Sequence, residues 1–357
     1  MLEKKRVLIL DNDLIHYRIP IYNILGKKYD LTHACCYPQK IEDEINFKRV
    51  TLDPFKFGPF VLQKNGLNKL CNKFDAVICY CDLHYLQYIL LPLNPNRKYK
   101  IGLWGIGVSA SYNNHYDSNN KWTFVRNFFE RKADSLIFYT DYPIQKHLAK
   151  GFKRESMFVA PNTVAVEDVD LSVERSNFLF IGTLYKEKGI FVLLDAYRMA
   201  LQEYPSLPAL DIIGKGPEYE NVKKWLKDEG LDEKVILHGA IYDRKIKADF
   251  FHKALACLSP MQAGLTVLES QGYGTPFITT KNAITGGEIF NIDNGRTGVL
   301  LENAREMKNA ILDVAQNPSK YKKIGDNARK YYLDCRKPSN MAQGFIDAVE
   351  YMLNKKD

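Results

Sequence analysis

The chain lacks any long apolar run. Its unbroken stretches, such as Val7-Leu8-Ile9-Leu10, are short, whereas a bilayer-spanning helix needs about 20 apolar residues in succession. The opening MLEKKRVLIL sets basic residues ahead of an apolar run. That run is too short for a secretory leader and no small-residue cleavage site follows, so it reads as a first buried strand. Cysteine is sparse: seven residues, an odd number with no shared ligand spacing. Cys35 and Cys36 are adjacent, and Cys79 and Cys81 fall on one face of an apparent strand, too few donors for a zinc site. Free thiols in a reducing cytoplasm are the expectation, with no bound metal. Helix-turn-helix, zinc-finger and RNP-like signatures are missing, so the net charge of +8 does not point to nucleic acid. A modest basic excess fits anionic partners and by itself selects none of them.

What is present is an alternation. The 357 residues, 46% apolar and 26% charged, suit two folded domains. Strand-like runs are read at Arg6–Leu10, Leu31–Cys36, Asp75–Tyr80, Lys100–Trp104, Ser135–Tyr139 and Met157–Ala160. Helical patterns separate them at Ile19–Lys28, Leu83–Leu91, Lys121–Lys132 and Pro143–Lys150. A second series follows, with strands at Phe178–Gly182, Leu210–Gly214, Val235–Gly239, Ala256–Ser259, Pro276–Thr280 and Val299–Leu301. Its helices are Gly189–Glu203, Tyr219–Glu229, Lys245–Lys253, Val267–Tyr273, Ala304–Gln316 and Lys320–Asp334. Runs apolar throughout and separated by helices predict parallel sheets covered on both faces. Two such series predict an α/β chain of two doubly wound, Rossmann-like domains facing a cleft. Pro161–Ser172 has little periodicity and is the linker candidate. The expected division is 1–165 and 166–338, with the last helix, 339–357, packing back onto the first domain through Phe345, Ile346, Val349, Met352 and Leu353.

Three turns carry candidate chemistry. NFLFIG runs through TLYKEKG into a helix; a strand ending in Gly182 before a helix start is a common anion site, with Lys186 and Lys188 adding charge. It reads equally as a plain turn with solvated lysines. DIIGKGPEYENVKKWL is a compact strand–turn–helix in which Pro217 suits the first helical turn and Glu218 its positive end. It lacks the third glycine of a dinucleotide fingerprint, which disfavours a dehydrogenase. SPMQAGLTVLESQGYGTPFITT places Gly264 before a short helix that carries Glu269 one turn in. Its free amides would suit a diphosphate and Glu269 ribose hydroxyls, although an isolated glutamate there also reads as a helix-start carboxylate.

The order GTLYKEKG, IIGKGPE, VILHGAI, SPMQAGLTVLESQGYGTPFITT and TGGEIFNIDNGRTGVLL resembles the donor domain of the GT-B retaining glycosyltransferases often called family 4. DLIHYRIPIYNIL and GLWGIG in the first half are similar to bacterial surface-polysaccharide members. The resemblance implies a GT-B architecture and transfer of a sugar from a nucleotide diphosphate, UDP before GDP, to a saccharide or lipid-linked acceptor. The nucleotide-sugar is then a substrate, and neither cofactor nor metal is required. It implies that Lys188 contacts the pyrophosphate and that Gly182 and Thr183 line the phosphate loop. Gly214 and Gly216 sit beside the nucleoside, and Gly239, Ala240 and Ile241 flank the base. Gly264, Leu265 and Thr266 offer backbone amides, and Glu269 holds the ribose; Lys188 and Glu269 would activate the donor.

Three positions depart from the pattern. Met261 stands where the family often has a first glutamate, Thr183 where a basic residue often follows the phosphate-loop glycine, and Ile106 where a histidine often stands in the first domain. They motivate a non-catalytic sugar-nucleotide-binding subunit as one alternative; a GT-B nucleotide-sugar epimerase is another. Acceptor-side candidates are Asp13, His16, Tyr17, Arg18, Ser109, Ser111 and His115, with His16, Asp13 and His115 considered for a base. His16 and Arg18 are expected to face the cleft, while Asp11 and Asp13 also read as caps of the following helix. Bases and aromatics interleave over Lys121–Lys132 and again at Phe55-Lys56-Phe57 and Phe60. This fits peripheral binding to acidic lipid, or aromatics packed under the sheet with the bases left wet.

Overall fold

The computed structural model describes residues 3–39, 41, 43–64, 66–109, 116–118, 121–168, 170 and 172–355. Two compact units divide the chain: Met1–Thr163 with Lys337–Asp357, and Val164–Arg336.

In the N-terminal unit the strands are β1 (Arg6–Asp13), β2 (Asp30–Tyr37), β3 (Lys48–Thr51), a hairpin of β4 (Pro54–Phe57) and β5 (Phe60–Gln63), then β6 (Ala76–Tyr80), β7 (Lys100–Gly105), β8 (Ser135–Phe138) and β9 (Met157–Val159). The main sheet runs β3-β2-β1-β6-β7-β8-β9, with every pair parallel. Val7, Leu8, Ile9 and Leu10 are all buried, so both faces of β1 are covered and a continuous apolar run is what such a strand requires. One face is closed by the helices Ile19–Lys28 and Pro338–Asn354. The latter starts on Pro338 at its first position and buries Met341, Phe345, Val349 and Met352. Full burial of each contributes roughly 1.5–3 kcal/mol, enough to tie the chain's last helix to the first unit.

The C-terminal unit repeats the plan with β10 (Asn177–Ile181), β11 (Leu210–Ile213), β12 (Val235–Gly239), β13 (Ala254–Leu258), β14 (Gln262–Ala263), β15 (Phe277–Thr280), β16 (Ile284–Thr285) and β17 (Val299–Leu301). Its sheet runs β12-β11-β10-β13-β15-β17, again parallel. Numbered within the unit this is 3-2-1-4-5-6, the doubly wound order whose direction of winding reverses beside the first strand. The helix Ile190–Glu203 supplies Leu193, Leu194, Tyr197 and Ala200 to the core, an i, i+1, i+4, i+7 stripe. It ends just before Pro205, as the residue ahead of a proline is biased out of helix. The α/β class and the two Rossmann-like sheets are therefore as the alternation of elements predicts.

Several local expectations are corrected. The hairpin β4–β5 and the edge strand β3 add to the elements read from the sequence, because short strands exposed on one face carry no long apolar run. The helix expected over Leu83–Leu91 is confined to Leu86–Leu90 and followed by a 3-10 turn at Leu91–Leu93, where Pro92 breaks the ladder. The aromatics of the helix Trp122–Glu130 do not pack under the sheet: Trp122, Phe124 and Phe128 are exposed.

Candidate functional site

Three strand ends of the C-terminal unit are stitched together through glycine. The Gly182 amide donates to the Ile213 carbonyl at 2.9 Å, and the Gly214 amide to the Gly239 carbonyl at 2.7 Å. Gly182 and Gly214 have φ of +150° and +155°, a region closed to other residues. The approach is as demanding as the torsion, since a methyl group on Gly214 would overlap the Gly182 carbonyl. The turn Gly214–Pro217 nests under the preceding loop, with the Leu184 amide donating to the Lys215 carbonyl at 3.0 Å and the Glu218 amide to the Leu184 carbonyl at 3.1 Å.

Lys188 closes a 3-10 turn, Lys186–Lys188, and Gly189 begins the helix behind it. Its ammonium lies directly over Gly182. The residue is partly buried, and burial lowers its pKa below the ordinary lysine range. Among the described residues no carboxylate stands within ion-pair distance of it. Thr183 beside it is exposed. Met261 packs over Gly189, its Sδ 2.6 Å from where a methyl group on that glycine would sit, and it remains 39% exposed.

Glu269 projects from the short helix Thr266–Gly272, and its Oε1 is ion-paired with Lys247 Nζ at 2.7 Å, both side chains mostly buried. Lys247 comes from the helix Arg244–Lys253, whose start is fixed by Asp243 accepting from the amides of Lys245 and Ile246 at 2.8 and 3.0 Å. Sequence reasoning missed Lys247: it stands 22 residues from its partner, and only the fold joins them. Leu265 and Thr266 open the Glu269 helix, and nothing crowds the open face of Gly264. Gly216, Ala240 and Ile241 are partly buried at the ends of β11 and β12.

The N-terminal candidates scatter. His16 is exposed on the 3-10 turn His16–Arg18, its ring edge-on to Tyr17 at 5.7 Å. Asp13 is partly buried and accepts from the Gln39 amide. Ser109 shares its hydroxyl with Thr123 at 3.2 Å. Ser111 and His115 lie outside the described residues. Arg18, expected to face the cleft, is buried at 5% exposure. Its guanidinium lies about 5 Å from the ring centroids of Tyr17 and Trp104 and donates to Tyr139 Oη at 3.1 Å and Met341 Sδ at 2.8 Å. Aromatic faces stabilise a desolvated cation there, so Arg18 anchors the last helix rather than meeting a ligand. Asp11 and Asp13 do not cap the helix Ile19–Lys28, which has no side-chain cap. Asp11 accepts from the Asn12 amide at 2.8 Å and from Tyr22 Oη at 3.2 Å. Burial nonetheless pushes its carboxyl up to about 6.

Two doubly wound units with glycine turns at strand ends define the architecture of the GT-B glycosyltransferases. Within it, residues 166–331 match the family described as "Glycosyl transferases group 1", a span that holds both Lys188 and Glu269. Poly(glycerol-phosphate) alpha-glucosyltransferase of Bacillus subtilis (strain 168) is 24% identical over 255 residues, covering 68% of this chain and 37% of the relative. The chain thus spans little more than a third of that protein. Among solved structures, a glycosyltransferase from Rickettsia africae ESF-5 is similar at a TM-score of 0.72 and 14% identity, covering 99% of this chain and 100% of that one. HepE of Anabaena in complex with UDP is similar at 0.69 and 14%, covering 97% and 99%.

Proposed function

We propose that the chain is a glycosyltransferase that moves a sugar from a nucleotide diphosphate, UDP before GDP, to a saccharide or lipid-linked saccharide during surface polysaccharide synthesis. The observation that carries this reading is the Lys188 ammonium: partly buried, lowered in pKa, set over the Gly182 turn, and given no carboxylate by the described residues. A cation held so is arranged for an anion that arrives from outside. The Gly182, Gly214 and Gly239 turns let main chain approach that anion closely, at the reversal point where doubly wound folds bind ligands. Gly216, Thr183 and the Gly264–Thr266 segment complete the lining, with Ala240 and Ile241 against the base. The matched family and the UDP held by the Anabaena neighbour support the same reading.

In this reading Lys188 stabilises the charge that develops on the departing nucleoside diphosphate, a preorganised electrostatic contribution with no cation required. Glu269 accepts from the ribose hydroxyls with the carboxylate oxygen that Lys247 leaves available. No cofactor enters, and transfer proceeds with retention, as in the family the motifs resemble. The exposed Phe57, Trp122, Phe124 and Phe128, interleaved with bases, would hold the protein peripherally on acidic lipid; flotation with anionic vesicles showing no salt-sensitive binding removes that part.

Thermal shift with UDP, GDP and their sugars tests the assignment, since a ligand that binds the fold raises its melting temperature in proportion to ln(1 + [L]/Kd). Lys188→Ala and Glu269→Ala should each abolish most of the shift, and retention of the full shift in both refutes the site. One observation favours a second reading: Met261, an apolar side chain, covers Gly189 at the phosphate-side helix start. A sugar-nucleotide-binding subunit without turnover would bind UDP normally and release no free nucleotide with any acceptor.

A further inference from the structure

Two cavities of the N-terminal unit share part of their lining. The first, of about 540 Å³, opens where β6, β7 and β8 end. Phe60, Leu83, Leu103 and Phe138 give it apolar walls. Polar groups sit among them: Asp82, paired with the largely exposed His84 at 2.8 Å, and Arg126 above the buried Glu130. Trp122, 58% exposed, contributes its indole to the lining.

The second cavity, of about 600 Å³, shares Gly107, Val108, Ser118 and Arg126 with the first. To Arg126 it adds Lys121, Lys146 and Lys150, against the single carboxylate of Asp117. That carboxylate is already engaged by Lys146 Nζ at 2.7 Å and by Tyr142 Oη at 2.6 Å. Glu130 pairs with Arg126 Nε at 3.4 Å and with His147 Nε2 at 3.0 Å, so Arg126 and Lys146 each have a carboxylate partner and the excess positive charge rests on Lys121 and Lys150. Four cations line one concave surface, two of them, Lys121 and Lys150, with no carboxylate partner among the described residues, beside a cavity fitted with an aromatic face, a carboxylate and an imidazole.

We propose that the two cavities form one acceptor site for a phosphorylated saccharide. The sugar ring lies in the first cavity, its C–H face against Trp122 and its hydroxyls donating to Asp82 or bonding to His84. The phosphate lies in the second, and Arg126 sits at the junction where the phosphoester oxygen would fall. The inference rests on the transferase reading and gives its acceptor a chemical class. A neutral sugar would leave Lys121 and Lys150 without a counter-charge, whereas a phosphate offers a charge near −2 and oxygens for charge-assisted hydrogen bonds.

The test is calorimetric titration of the full chain with α-glucose 1-phosphate, methyl α-glucoside, inorganic phosphate and phosphatidylglycerol vesicles, with UDP titrated alongside. Glucose 1-phosphate should bind at least about tenfold tighter than the glucoside, and Lys121→Ala and Lys150→Ala should each weaken it by roughly tenfold while UDP affinity holds. Trp122→Ala should weaken the sugar phosphate and spare inorganic phosphate. Lys188→Ala should do the reverse of the lysine variants, lowering UDP affinity alone. Equal affinity for glucose 1-phosphate and the glucoside overturns the proposal. So does sugar-phosphate binding that survives both lysine variants but is lost in Lys188→Ala, since the phosphate would then occupy the C-terminal unit. Vesicle binding that requires Lys121 and Lys150 and resists displacement by glucose 1-phosphate would make the basic cavity a lipid contact and overturn it too. Failure of UDP to bind strikes the transferase reading instead, and leaves the sugar-phosphate result to be judged on the N-terminal variants.

Discussion

Replacing Asp11 by asparagine should stabilise the protein at neutral pH, although it replaces a carboxylate that accepts two hydrogen bonds. Burial pushes the Asp11 carboxyl to about 6, against an ordinary 3.8. Between those values the folded chain holds a proton that the unfolded chain has released, so stability falls as pH rises through that window, and the penalty is complete above about pH 6. The gap corresponds to about 3 kcal/mol at neutral pH. Asparagine carries no charge to desolvate, and its Oδ1 can still accept from the Asn12 amide. The Tyr22 hydroxyl loses an anionic acceptor, a loss of about 1 kcal/mol. The net gain at pH 7.5 is then about 1–2 kcal/mol, which for a unit of this size raises its melting temperature by roughly 2–8 °C. Urea melts of both proteins at pH 7.5 and pH 4 measure it. At pH 4 the carboxyl is mostly protonated in the folded chain and the gain should vanish or reverse. An asparagine variant that is less stable by the same amount at both pH values refutes the reasoning, because the carboxylate would then be a satisfied partner and not a desolvated one.

Four further outcomes are expected. Lys188→Ala should weaken UDP binding by roughly 10- to 100-fold, the worth of about 1.5–3 kcal/mol for one charge-assisted contact, read by calorimetry; unchanged affinity removes Lys188 from the site. Gly214→Ala should destabilise by about 2–4 kcal/mol, because the methyl group meets the Gly182 carbonyl and the backbone is held at φ +155°; a melt indistinguishable from the parent would contradict it. Lys247→Met should cost about 1–3 kcal/mol by stranding Glu269 in a mostly buried place, and Lys247→Met with Glu269→Gln should recover most of it in a double-mutant cycle. His33 is buried with both ring nitrogens unpartnered among the described residues, and burial pushes it down to about 3. The stability it contributes is present above pH 6.5 and lost as pH falls toward 3, about 3 kcal/mol of it by pH 4.5. His33→Phe should gain on the parent by about that amount between pH 7.5 and 4.5, and parallel pH profiles would dismiss the argument.

How far the sequence discloses this molecule depends on where each contact lies along the chain. A parallel strand buried on both faces must be apolar throughout, so β1, β7 and β10 stand out in the sequence, and their alternation with helices is enough to give two doubly wound sheets. The glycine turns are legible for a related reason. Gly182 and Gly214 are needed where strand ends meet at van der Waals limits, and a glycine just past an apolar run marks such a place. The hairpin β4–β5 hides because its residues face solvent on one side, and Phe55 and Phe57, read on composition alone, look like a surface motif and not a strand.

The residues misread or missed are those whose meaning comes from partners distant in sequence. Arg18 reads as a cleft-facing base beside His16, yet the rings of Trp104 and Tyr139, its neighbour Tyr17 and a methionine of the last helix enclose it. Lys247 reads as one more charge on a basic helix, yet it alone neutralises Glu269 among the described residues. Asp11 reads as a helix cap, and its raised pKa arises from desolvation, which no local pattern records. The same logic bears on the paired cavities. Asp82, Arg126 and Lys150 are ordinary surface residues in the sequence, and they become a site only because β6, β7 and β8 end side by side. Charges that a fold gathers onto one concave wall repel one another, at a cost to stability that a merely solvated surface would avoid by dispersing them. Their juxtaposition is therefore the feature that calls for a ligand, and Lys121→Ala or Lys150→Ala should leave the fold no less stable while weakening the phosphate's hold.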